Sequence, residues 1–162
     1  MSAELEQEPA ELDRLAQRWL AAWTGGGSFT SCSTGDISYE DPLLRVPLTG
    51  IDAVETHSAQ LREAFPDMSA EPTAPTLFRG ELACFAWQLS GTHRGDIAFV
   101  PATDRQVCVH GLHYVELSDG LVRRARGFID LYEAAVQLGL LPESGGYGQA
   151  AMMLLRGFGL RL

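Results

Sequence analysis

A chain of 162 residues has the length of one domain and is large enough to bury a core together with a pocket. Its 12 Lys and Arg against 21 Asp and Glu give a formal charge of −9, which repels phosphate backbones and anionic lipid and argues against nucleic acid as a partner. Three scattered cysteines, Cys32, Cys84 and Cys108, offer no disulfide framework or C-x-x-C pair, and neither a signal-peptide pattern nor a spanning apolar run is present, so a cytoplasmic protein free of membranes is expected.

Residues 1–9 are charged, carry Pro9 and read as a flexible lead-in to a domain over 10–142. From Ala10 the residues Leu12, Leu15, Ala16, Trp19, Leu20 and Trp23 fall at the spacing of one helical face, and Gly25-Gly26-Gly27 ends that helix. A short strand is expected over 36–42, with Ile37 and Tyr39 on one face. Thr49 is placed to cap a second helix over 51–65, whose stripe is Ile51, Val54, Ser58, Leu61 and Phe65; His57 falls on its flank and reads as solvated. Two hairpins follow, 76–79 with 82–93 and 106–117 with 121–129, turning at Gly80-Glu81 and Ser118-Asp119-Gly120. The connection 94–105 between them exceeds what a tight hairpin needs and reads as a lid. The last strand halts at Asp130, and a short helix then runs to Gly139 and Pro142. This order predicts an α+β fold, a curled antiparallel sheet with helices on one face. Residues 143–162 read as a flexible link and an apolar tail that packs on the domain or a dimer partner, or closes one end of the pocket.

Asp130, at the strand-to-helix junction, is either the N-cap of the helix or an acid/base at the mouth of a pocket, where desolvation would raise its pKa. Of the two histidines on the preceding strand, His110 and His113 face opposite ways, and His113 is the favoured partner for Asp130. Tyr39 and Asp41 share a face: Tyr39 can donate to a carbonyl oxygen, and Asp41 is a second carboxylate or a turn residue before Pro42. Trp87, flanked by Phe85 and Leu89 on its face, His93 at a strand end and Phe128 beside Asp130 complete the candidate pocket. Glu116 reads as the partner of an arginine on the adjacent strand. Histidines and carboxylates do not fall at ligand spacing, so no metal is expected. Strict alternation puts Asp130 on the face of Arg124, Arg126 and Phe128. A pocket role for it therefore requires a β-bulge at Gly127; otherwise Asp130 is ion-paired and no base.

The order YEDP (39–42), FPD (65–67), GTHRG (91–95), PATDRQV (101–107), SDG (118–120) and DLYEAAVQLGLLP (130–142) resembles the SnoaL-like polyketide cyclases of the nuclear-transport-factor-2-like superfamily. The resemblance spans about residues 12 to 142. It implies a cone-shaped α+β barrel, in which a strongly bent antiparallel sheet wraps a deep apolar pocket under covering helices, and a homodimer. It also implies a cofactor-independent enzyme closing a ring in a polyketide intermediate by aldol or pericyclic chemistry, with Asp130 as the acid/base. Hydroxylases and non-catalytic small-molecule-binding scaffolds share the fold, so the fold alone does not set the reaction. The PATDR turn departs from the family's usual P-T-G-R by one inserted residue. The Asp-Arg-Asp set of the epoxide-hydrolase branch is incomplete: Arg94 and Asp96 have its spacing, but Gly127 stands where its last aspartate belongs.

Overall fold

The computed structural model describes residues 2–97 and 100–142. Helix α1 (Ser2–Thr24) leads to a single 3-10 turn (Phe29–Ser31) and strand β1 (Ser33–Glu40). There follow β2 (Leu48–Thr49), α2 (Ile51–Ala64), β3 (Ser69–Pro72), β4 (Leu77–Arg79), β5 (Leu82–Thr92), β6 (Gln106–Ser118), β7 (Leu121–Ile129) and α3 (Leu131–Gln137). Helix α1 reaches back past Pro9 over the residues expected as a lead-in; there the proline ring lacks an N–H to donate and crowds the carbonyl one turn earlier. The apolar tail expected over 143–162 lies outside the described residues.

The described strands form one sheet in the order β2-β1-β7-β6-β5-β3, with β4 pairing the first half of β5. It is mixed rather than wholly antiparallel, because β1 runs parallel to β7, with Tyr39 opposite Ala125 and Glu40 opposite Arg126. That pairing joins segments more than eighty residues apart and carries no local signature. The inner face is covered by α1 and α2. Leu12, Leu15, Ala16, Trp19, Leu20 and Trp23 of α1 are all buried, against Ile37, Phe85, Val115, Val122 and Ala125 of the sheet. Each large apolar side chain so buried contributes roughly 1.5–3 kcal/mol.

Two features differ from expectation at α2. Its N-cap is Gly50, whose φ of 86° suits a residue without Cβ, and it makes no side-chain cap; Thr49 instead pairs with Ser38 in β2. The second is His57, which is buried and not solvated.

The β6–β7 ladder keeps its register from Glu116↔Arg124 to Gly111↔Ile129, and its irregularity lies beside Leu117. There is no bulge at Gly127. Alternation therefore holds along β7: Ala125 and Gly127 face inward, while Arg124, Arg126 and Phe128 face out. On the outer face Glu116 meets Arg123 and Arg124 across the ladder, as expected, and Glu40 meets Arg124 and Arg126.

The connection 94–105 is held at both ends. Arg94 and Gly95 N–H donate to the Ala64 carbonyl, His93 and Arg105 pair through the backbone, and Ile97 bridges Val100. Gly95 lies so close to the end of α2 that a Cβ there would stand 2.5 Å from the Glu63 carbonyl oxygen. No described helix is long and apolar enough to cross a membrane.

Candidate active site

Between the sheet, the end of α2, the 94–105 connection and α3 lies a cavity of about 320 Å³. Every described side chain lining it is apolar, including Phe65, Trp87, Ile97, Val107 and Leu138. It shares the walls formed by Leu61, Met68, Trp87, Leu89 and Ile129 with a smaller inner cavity of about 50 Å³. The inner cavity also touches Trp23, Tyr39, Asp41 and His113. A polar groove of about 630 Å³ lies at the hairpin turns, beside Glu11, Arg14, Arg18 and Glu81, and brings no buried titratable group with it.

Asp41, the residue that follows β1, is the one buried carboxylate among the described residues. Its Oδ2 accepts from the Tyr39 hydroxyl at 3.0 Å and from His57 Nε2 at 2.9 Å, while Oδ1 accepts from the Leu43 N–H at 2.7 Å. Burial is the largest influence and would raise its pKa. The His57 hydrogen bond and charge, the Leu43 N–H and the Tyr39 hydroxyl together outweigh it and hold the carboxyl below its usual range. Tyr39 is pushed the other way, well above its ordinary value, by burial, by the Asp41 charge and by donating to it.

His113 Nε2 lies 3.4 Å from the Tyr39 oxygen. Since that hydroxyl gives its proton to Asp41, its oxygen is the acceptor, Nε2 carries the proton, and Nδ1 has no partner among the described residues. Burial, countered only in part by Asp41, pushes His113 down to about 3, so the ring is neutral through the physiological range. Trp23 stacks on it at 5.9 Å and 11°, and Trp19 and Trp87 close its other sides. Gly127 makes this contact possible: a Cβ there would stand 2.9 Å from the Tyr39 hydroxyl and 3.2 Å from Asp41 Cβ.

Tyr39, Asp41, Trp87 and His113 are thus brought together, and the other expected site residues are not. Asp130 is exposed; it is the N-cap of α3, its Oδ1 accepting from the Glu133 N–H at 3.0 Å. Ile129 and Leu131 on either side of it line the cavity, so Asp130 stands on the rim with its carboxylate turned out. Alternation along β7, unbroken at Gly127, is the reason. It is neither His113's partner nor in an ion pair among the described residues.

Phe128 is on the outer face, 46% exposed, beneath the Arg126 guanidinium at 5.3 Å. His93 is wholly buried but lines neither cavity: Phe65 packs on it, and its Nδ1 accepts from Thr103. His57 was missed. Its signal was its place between Val54 and Leu61 at helical spacing, a polar residue inside an apolar stripe. Among the described residues no three His, Cys, Asp or Glu side chains gather as a metal site would require.

The sequence matches the family model of SnoaL-like polyketide cyclases over residues 13–138. The chain belongs to that family. Among proteins with curated descriptions none matches its sequence. Solved structures do resemble it. A candidate SnoaL-like polyketide cyclase from Jannaschia sp. CCS1 superposes with a TM-score of 0.71 at 20% identity, over 82% of this chain and 94% of the other. AclR from Streptomyces galilaeus, a candidate hydroxylase, gives 0.69 at 22% identity, over 91% and 93%. A Catenulispora acidiphila protein with a ketosteroid-isomerase-like fold gives 0.64 at 16%, over 77% and 92%. Likeness at these identities establishes the cone-shaped α+β fold, here with an unclosed mixed sheet. The SnoaL-like assignment comes from the family match.

Proposed function

We propose that this SnoaL-like protein is a cofactor-independent cyclase that closes a ring in a polyketide intermediate by intramolecular aldol chemistry, with Asp41 as the acid/base. The observation that carries this reading is the position of the one buried carboxylate among the described residues, beside Tyr39 and His113 on an inner cavity that shares walls with an apolar outer one. An ionised Asp41 takes a proton from a methylene activated by neighbouring carbonyls, and the electron pair of the broken C–H bond moves onto a carbonyl oxygen as an enolate. The enolate carbon then attacks a second carbonyl of the same molecule. The new C–C bond closes the ring, and the resulting alkoxide takes the proton back from Asp41, so the product is an isomer of the substrate.

Tyr39 stays protonated throughout, and once Asp41 carries the proton, Oδ2 is a poorer acceptor and the Tyr39 hydroxyl is released toward the enolate oxygen. His57 holds the carboxylate in place from α2. One positioned acid/base supplies about 10²–10⁴-fold in rate, and an apolar cavity that holds the chain folded supplies the orientation. The test is solvent deuterium exchange at the activated CH₂ of 2-tetralone, followed by NMR without added reductant and under nitrogen. Exchange by the wild type that is lost in Asp41→Asn supports the reading. Exchange that survives Asp41→Asn, or turnover that demands oxygen and a reductant, contradicts it.

A further inference from the structure

Each of the three hydrogen bonds that converge on Asp41 leads somewhere different. The Leu43 N–H belongs to a peptide bond, and the path ends there. The Tyr39 hydroxyl leads to His113 Nε2 and stops at His113 Nδ1, which is enclosed and has no partner among the described residues. His57 offers an exit. Its Nε2 lies 2.9 Å from Asp41 Oδ2, and Nδ1, on the other side of the ring, has no partner among the described residues yet is not enclosed as His113 Nδ1 is. The His57 side chain keeps 10% of its surface exposed, against 1% for Asp41. His57 lines neither the outer nor the inner cavity, so it meets solvent through a different wall from the one a substrate would press against. Trp23 and Tyr39 hold the ring, with centroids 5.9 and 6.0 Å away.

We propose that His57 is a positioning residue that also connects Asp41 to solvent as a proton relay, through the wall that faces away from the cavities. Imidazole suits the task because its two nitrogens stand on opposite edges of one ring. With Nε2 protonated and Nδ1 free, Nδ1 takes a proton from solvent, the ring becomes imidazolium, and Nε2 hands its own proton to Oδ2. The same transfers reversed carry a proton from Asp41 out. The ring releases one proton for each it takes, and only N–H and O–H bonds change. Asp41 can then trade its proton with solvent while an apolar molecule fills the cavity and keeps water from that side. The inference rests on the acid/base reading of Asp41 and adds the route by which that carboxyl is reset.

The experiment follows solvent deuterium exchange of 2-tetralone by the full chain. Glutamine sets an amide donor where Nε2 stands but has no second ring nitrogen to pass a proton on, so His57→Gln keeps Asp41 held and cuts the relay. Its KM should stay within about twofold of the wild type while kcat for exchange falls about tenfold or more, because Asp41 then returns the same proton it took. His57→Ala gives a second readout. Imidazole in the buffer should restore its exchange, whereas pyrazole, which fills the same space and is a far weaker base, should not. Wild-type exchange by His57→Gln, or recovery of His57→Ala with pyrazole as well as with imidazole, would overturn the proposal. If Asp41→Asn stops exchange and His57→Gln does not, the relay falls and the acid/base reading stands; exchange that survives Asp41→Asn removes both.

Discussion

Two strands of this sheet, β1 and β7, run side by side in parallel, and each gives way to an aspartate at its C-terminal end. At β1 the residue is Asp41, with 1% of its side chain exposed, and three donors meet on it: Tyr39 and Leu43 from its own segment and His57 from α2. At β7 it is Asp130, exposed, with one donor three residues along its own helix. The residue type is the same and the work differs. A cap needs only local geometry, whereas a buried carboxylate must be assembled by tertiary structure, and only the second kind can alter its protonation chemistry through its surroundings.

The contrast can be sharpened first through stability. Asp41→Ala removes the acceptor shared by His57 and Tyr39 and should cost about 3–5 kcal/mol, the range for breaking a buried pair, in urea unfolding. Next, Gly127→Ala forces a methyl group against Tyr39 and Asp41. It should cost about 1–3 kcal/mol as an overpacked core does, and slow exchange of 2-tetralone as well; full stability with full activity would show that the cluster has room to spare.

His113 tests the electrostatics. Its pKa is depressed in the fold, so from about pH 6.5 downward the unfolded chain binds a proton that the folded chain does not, and stability falls toward pH 3 by up to about 1.4 kcal/mol per pH unit. Asp41 acts in the same sense, with stability present above the ordinary carboxylate pKa and lost as pH falls through its lowered one. His113→Phe should flatten the slope between pH 6.5 and 4, measured by denaturation at stepped pH, and an unchanged slope would contradict the buried neutral ring. Smallest is Asp130→Ala, which should cost about 1 kcal/mol as the loss of an N-cap does.

What local pattern could reveal, it did. The α1 stripe emerged buried residue for residue, the two hairpins fell within a residue or two of their expected ends, and Tyr39 and Asp41 stayed on one side. Even the outward direction of Asp130 was contained in the alternation of Arg124, Arg126 and Phe128. What local pattern could not reveal is pairing at a distance. The parallel β1–β7 contact, which sets Gly127 against Tyr39 and Asp41, depends on two segments that share no motif. His57 joins the same cluster from α2, sixteen residues beyond Asp41, and only its place within an apolar stripe hinted at it.

The central claim is that Asp41, not Asp130, moves the proton. Solvent deuterium exchange of 2-tetralone by Asp41→Asn and Asp130→Asn, side by side at neutral pH, tests it most directly. The Asp41 variant should lose about 10²-fold or more of the wild-type rate, and the Asp130 variant should stay within about twofold of it. A loss that falls on Asp130→Asn and spares Asp41→Asn would contradict the account.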